Sequence, residues 1–239
     1  MHYENIIYHE EGTLSKIYLN RPDKLNAYTP DMGDEIIHAF RHANSNNDIA
    51  SIALLGKGES FCAGADRDYL LGDKLSKSGL RIGEDEFISS FVAELSASKK
   101  ILIAGLKGSC VGIGITMVLP FDIRVAETNA LLSFPFIKLG ILPGLASTYF
   151  LPALVGTNKA KEIILNNAKL TADEAKEIGL VNEVVEVNNS ETRINELAYS
   201  MGEISQKILF AAKKAFQVNL EEEVQNAIKR EKNLLKNIN

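Results

Sequence analysis

Two short loops carry the residue types that most suggest chemistry. Residues 60–66 read SFCAGAD and residues 107–114 read KGSCVGIG, each placed directly after an apolar run. Glycine and its small neighbours leave the backbone uncovered, so an N–H group can approach a ligand closely. Where a helix begins, such donors are unpaired and the dipole favours negative charge. Two loops of this kind after neighbouring strands could aim two N–H groups at one carbonyl oxygen and stabilise the oxyanion that forms on it. Tight turns without any ligand would use the same residues, and composition alone does not separate the two readings.

Other reactive groups are scarce around these loops. All four histidines, His2, His9, His38 and His42, lie near the amino terminus, two in the first strand region and two on the polar side of the first helix. No Ser-His-Asp triad can therefore be assembled at the glycine loops. Cys62 and Cys110 have no CxxC partner, which supports neither a metal site nor a disulfide framework and makes them small apolar core residues. Gly112 and Gly114 give G-x-G with no third glycine at dinucleotide-binding spacing. A formal net charge of −5 argues against a nucleic-acid surface, while leaving room for a local basic patch that meets a phosphate.

The elements that must position the loops follow from hydrophobic periodicity. With 239 residues, 46% of them hydrophobic and 24% charged, the chain can bury one sizeable core. Runs 6–8 and 14–19 flank Glu10-Glu11-Gly12 and read as a hairpin. Thr29 reads as an N-cap with Pro30 at the first helical position, opening a helix with Met32, Ile36, Ala39, Phe40 and Ala43 on one face. Continuously apolar strands are predicted over 49–56, 101–106 and 121–126, with a helix over 87–98 and a glycine-led helix over 108–119. Residues 71–83 read as a mobile loop. Thr171 to Glu174 form a capping box, with Gly179 as the C-cap.

This alternation predicts an α/β body over 1–187, followed by a helical carboxyl-terminal region over 188–239. The amino terminus has charges where a leader needs an apolar run. The most apolar stretch, 108–121, is shorter than the ~20 residues a membrane span needs. A cytoplasmic protein without a membrane span is expected.

NRPDKLNAYT, SFCAGAD, ILIAGLKGSCVGIG, LPFDIRVAE, FPFIKLGILPG and LTADEAKEIGLVNEVV occur in the order seen in the crotonase, or enoyl-CoA hydratase/isomerase, superfamily. The chain resembles that superfamily over residues 6–187, and FPFIKLG followed by Ser147-Thr148-Tyr149 looks most like its Δ3,Δ2-enoyl-CoA isomerase branch. The resemblance implies a crotonase (ClpP-like) fold of repeated ββα units with a helical carboxyl-terminal part that assembles a homotrimer or dimer of trimers. It implies an acyl-CoA substrate from fatty-acid metabolism, no cofactor beyond the coenzyme A of the thioester itself, and no metal. By the same resemblance, the oxyanion hole is the backbone N–H of Ala65 and of Ile113. Ala63, Gly64, Ala65 and Asp66 border the thioester and pantetheine, and Lys24, Leu25 and Asn26 match the loop that touches the CoA nucleotide. Isoleucine at 113 departs from the family's usual glycine, keeping the donor while narrowing the pocket.

A second departure is chemical. The positions that match the family's two hydratase glutamates are Thr116 and Phe136, and the position that matches the single isomerase acid is Gly144. Proton abstraction alpha to a thioester needs a base in reach, and none of these three side chains is one at neutral pH. Asp66, Asp68, Glu59 and Glu94 are substitutes in principle, with a structural role in the turn expected for Asp66. Three readings follow: a hydratase/isomerase-type lyase or isomerase with an unorthodox or weak reaction, a decarboxylase of a malonyl-type thioester, and a non-catalytic acyl-CoA binder. The basic cluster of Lys229, Arg230, Lys232 and Lys236 reads as a solvated helix face.

Overall fold

A computed structural model describes residues 2–238 of the chain. β1 (Ile6–Glu11) and β2 (Leu14–Leu19) form the predicted antiparallel hairpin around Gly12, whose φ is +58°. α1 (Pro30–Ser45), β3 (Ser51–Gly56) and the single turn α2 (Arg67–Leu70) follow. After an irregular stretch, a π-helical turn (Phe87–Phe91) runs into α3 (Val92–Ser96). Next come β4 (Ile101–Leu106), β5 (Ser109–Val111), α4 (Ile113–Thr116), β6 (Ile123–Glu127) and β7 (Leu131–Ser133). α5 (Ser147–Val155), α6 (Thr157–Leu165), β8 (Lys169–Thr171), α7 (Ala172–Glu177) and β9 (Glu183–Val185) complete the mixed part. α8 (Ser190–Gly202), α9 (Gln206–Ala215) and α10 (Leu220–Ile238) close the chain with helices only, as the sequence predicts.

Successive strand pairs feed two sheets. The larger has the order β1-β2-β3-β4-β6-β9 and is parallel from β2 onward; the smaller has the order β5-β7-β8. The chain thus passes from β4 to β5, and again from β6 to β7, by stepping from one sheet to the other. This is the α/β arrangement, with its steps between two sheets, that the resemblance implies.

The large sheet is covered on both faces, which is why β2, β3 and β4 are buried along their whole length and β4 reads as an unbroken apolar run. Ile17, Ile52, Leu54, Leu102 and Ala104 face the main core with α1. The alternating residues Tyr18, Ala53, Leu55 and Ile103 face Ile194 and Ala198 of α8. α10 sends Val224, Ala227 and Ile228 into the main core. The carboxyl-terminal helices therefore pack on the body rather than around a core of their own. α9 differs: it buries no residue, and beside it Phe216 and Val218 are 91% and 74% exposed.

Local signals hold at several termini. The Thr29 hydroxyl accepts the Met32 N–H at 3.2 Å and Pro30 opens α1, whose predicted apolar face is buried. The capping box of Thr171 and Glu174 is formed, and Gly179 sits past α7 at φ +79°. His9, His38 and His42 are exposed. The helix predicted over 108–119 is corrected. Ser109 to Val111 is strand β5, paired in parallel with β7, and Gly112 at φ +53° and ψ −116° ends it before α4 begins. Two flanking glycines disguise a three-residue strand that only tertiary pairing defines.

Candidate active site

The two glycine loops are hydrogen-bonded to one another before they meet anything else. The Phe61 N–H donates to Lys107 O at 2.8 Å, the Cys62 N–H to Ser109 O at 2.9 Å, and the Val111 N–H to Cys62 O at 2.9 Å. Cys62 and Cys110 thus form a parallel bridge. Packing is so close that a Cβ on Gly114 would lie 2.5 Å from Cys62 O. Burial pushes the Cys62 thiol up to about 11, and raises Cys110 as well, so both are inert core thiols.

On its other side the first loop pairs with residues 25–28. The Ala63 N–H donates to Leu25 O at 2.9 Å, the Tyr28 N–H to Gly64 O at 2.8 Å, and the Asp66 N–H to Tyr28 O at 2.8 Å. Gly64, at φ +100°, makes the turn between these pairings. Several donors of the two loops are left over, those of Gly64, Ala65, Ile113 and Gly114 among them. Neither the Ala65 N–H nor the Ile113 N–H has an acceptor among the described residues. Ala65 is half-buried, and Ile113 is the first residue of α4, where N–H groups have no intrahelical partner.

The predicted nucleotide-contacting loop divides into two parts. Lys24 and Leu25 are exposed. Asn26 is fully buried, accepting from Arg21 N–H at 2.8 Å and donating to Lys57 O and Ser60 O, both at 2.8 Å. Its side chain binds three stretches of backbone together. Asp66 is likewise structural: it pairs with Arg21 at 2.9 Å and caps α2 by accepting the Asp68 N–H at 3.1 Å.

The three positions aligned with acids are unlike one another. Thr116 is buried on α4, and Phe136 is buried in the main core. Gly144 is open: a Cβ built on it would meet only a methyl of Ile88, at 3.9 Å. Of the other carboxylates considered, Glu94 pairs with Arg41 at 2.7 Å, and Glu59 and Asp68 are exposed.

Sequence reasoning missed Glu231. This residue of α10 is buried, and its carboxylate accepts the Ala146 N–H at 3.0 Å, the Thr148 N–H at 2.9 Å and the Thr148 hydroxyl at 2.7 Å. It caps α5, whose N-cap Ala146 has no acceptor of its own, and it steadies Leu145 and Ala146 at φ +61° and +52°. Burial holds the Glu231 carboxyl above the usual carboxylate range despite these bonds. Its signal was present: 224, 227, 228 and 231 share one helical face, whereas Lys229, Arg230, Lys232 and Lys236 are exposed as expected.

Among the described residues no group of three or more His, Cys, Asp or Glu could hold a metal ion, and no helix is long and apolar enough to cross a membrane. The family model described as enoyl-CoA hydratase/isomerase matches residues 9–239. A crotonyl-CoA hydratase of Syntrophomonas wolfei is 34% identical over 89% of the chain and 82% of the relative. The peroxisomal enoyl-CoA delta isomerase 3 of Mus musculus is 31% identical over 92% of the chain and 72% of the relative. The crystal structure of an enoyl-CoA hydratase from Bacillus halodurans superposes with a TM-score of 0.87 at 27% identity, covering 95% of this chain and 92% of that one.

Glu231 generates a prediction about stability. A carboxyl whose folded pKa is raised binds its proton more tightly in the native state, so its contribution falls as pH rises from the ordinary glutamate value of 4.5 through the folded value. Glu231→Gln removes that slope, and by turning an amide N–H₂ toward backbone donors lowers stability by about 1–3 kcal/mol. Urea unfolding of both proteins between pH 4 and 8 measures this; identical pH slopes reject the assignment.

Proposed function

The chain belongs to the enoyl-CoA hydratase/isomerase family, and from that footing we propose that it binds acyl-CoA thioesters with the carbonyl oxygen between the N–H groups of Ala65 and Ile113. The observation that carries this reading is that both N–H groups are left without an acceptor on two loops locked to each other, at the positions the family resemblance implies. Preorganised donors of this kind stabilise the enolate oxygen without reorganising as charge develops. Ala63 to Asp66 would border the thioester and pantetheine. The exposed Lys24 and Leu25 would meet the nucleotide, with Asn26 fixing the shape of their loop from inside. The reaction as read needs no cofactor beyond the coenzyme A carried by the substrate.

The chemistry that follows is of the hydratase/isomerase type, and slow. With Thr116, Phe136 and Gly144 in the acid positions, the enolate is stabilised but no carboxylate there takes the proton, a loss of roughly 10²–10⁴ in rate. The engagement of Asp66 with Arg21 and of Glu94 with Arg41 favours a second reading. In decarboxylation of a malonyl-type thioester, the C–C bond breaks, CO₂ leaves, and its electron pair forms the same enolate. C2 then takes a proton from water, and no C–H bond has to be broken by a base. Binding without turnover would mark a non-catalytic acyl-CoA binder.

We also read the chain as a homotrimer or dimer of trimers. α9 rests on the body through Leu209 and Lys213 but has no fully buried residue, and Ile208, Phe216 and Val218 are 63%, 91% and 74% exposed. Apolar surface of that extent is ordinarily covered by a partner.

Three measurements test these readings. Calorimetric titration with a non-hydrolysable acyl-CoA is expected to give saturable heat, and folded protein that gives none at millimolar ligand excludes the acyl-CoA reading. Gly144→Glu places a carboxylate in open space and is expected to raise 3-enoyl-CoA isomerisation on the order of 10²-fold. Wild-type turnover at tens per second would instead point to a base elsewhere. Light scattering at micromolar concentration is expected to return the mass of a trimer or hexamer; a stable monomer contradicts the assembly.

A further inference from the structure

One buried hydrogen bond joins the segment paired with Ala65 to the turn that places Ile88 beside the open position at Gly144. Tyr28 brackets Ala65 through its backbone, donating to Gly64 O and accepting from the Asp66 N–H, both at 2.8 Å. Its ring runs inward beneath Gly33, where a Cβ would lie 2.3 Å from the tyrosine hydroxyl oxygen. That hydroxyl donates to Asp85 Oδ1 at 2.6 Å, and both residues are fully buried.

The same carboxylate accepts the Ile88 N–H at 3.1 Å and the Gly83 N–H at 3.0 Å. It thereby holds the start of the π-helical turn, where Phe87 packs on the Tyr28 ring at 5.4 Å between centroids. Ile88 then supplies the one side chain within van der Waals range of a Cβ on Gly144. Burial and the neighbouring Asp85 carboxylate keep the Tyr28 hydroxyl protonated, so it remains the donor. A buried carboxylate in these surroundings needs all three of its donors.

We propose that Ile88 limits the size of the acyl chain, and that the Tyr28–Asp85 hydrogen bond is the positioning link that fixes Ile88 relative to the oxyanion loop. The inference rests on the acyl-CoA reading. On that reading position 144 borders the acyl chain, and Ile88 is the one side chain within van der Waals range of a Cβ there, so Ile88 bounds the space that an acid side chain would have filled.

The test uses saturated thioesters, which need no turnover. Butanoyl-CoA and decanoyl-CoA are titrated into the full chain by calorimetry, with far-UV circular dichroism and urea unfolding to establish folding. Ile88→Ala is expected to raise the decanoyl-to-butanoyl affinity ratio by about tenfold. Tyr28→Phe is expected to raise it by a smaller amount, and to add nothing in the double variant, because both act on one wall. Asp85→Asn retains an acceptor for the tyrosine and is expected to stay nearer wild type than Tyr28→Phe. Hydrogen exchange at residues 87 and 88 is expected to quicken in Tyr28→Phe beyond the change in global stability, whether or not ligand is present. An unchanged affinity ratio in Ile88→Ala and Tyr28→Phe, with tight binding of both thioesters, overturns the inference while leaving the acyl-CoA reading intact. Exchange at 87 and 88 that follows global stability overturns the link. A wild type that binds neither thioester overturns the acyl-CoA reading and the chain-length role with it.

Discussion

Residues 61–63 and 107–111 run side by side as two strands of backbone with almost no side-chain volume between them, and the rest of the site inherits its geometry from that contact. Cys62 and Cys110 are fully buried at its centre, and Gly114 tolerates no side chain, since a Cβ there would collide with Cys62 O. Two loops from different strands are thereby held in one register by three backbone hydrogen bonds. The cost falls on conformational entropy, because Gly64 and Gly112 must take φ values that other residues resist. The return is rigidity where donors must wait in place for charge that has not yet formed.

Four buried polar residues hold irregular backbone in the segments around the loops and beyond them. Asn26 ties its own loop to Lys57 and Ser60, Asp66 ties the alanine turn to Arg21, and Asp85 and Glu231 each gather backbone N–H groups from a separate segment. Each supplies an acceptor or donor to irregular backbone that would otherwise be orphaned away from water. Irregular backbone is unavoidable here, since β3 and β4 end where the ligand must begin.

Most of the scaffold was legible in the sequence because its signals are local. The Thr29-Pro30 cap, the capping box at Thr171 and the continuous apolar runs of β3 and β4 depend on neighbours within a turn or on burial of both sheet faces. The glycine loops, too, were recognisable from residue type and order. What escaped was settled by distant partners. β5 is a strand only because β7 and Cys62 lie beside it. Asp85 sits in a polar, glycine-containing stretch that promised nothing but a loop, and it becomes a buried acceptor only through Tyr28, far along the chain. Glu231 lies within a charged helix segment whose surroundings suggested solvent, although its helical phase with Val224 and Ile228 places it inside.

The reach of Glu231 has a consequence for the order of events during synthesis. A ribosome delivers the chain from its amino end, so β3, β4 and both glycine loops emerge well before α10 does. Until then the first turn of α5 has no acceptor for the Ala146 and Thr148 N–H groups, and the left-handed residues 145 and 146 have little to hold them. The paired glycine loops can thus be set early, while the segment around Gly144 is completed by one of the last helices to be made. A nascent or carboxyl-terminally clipped chain would carry the two loops locked together and the start of α5 unfixed.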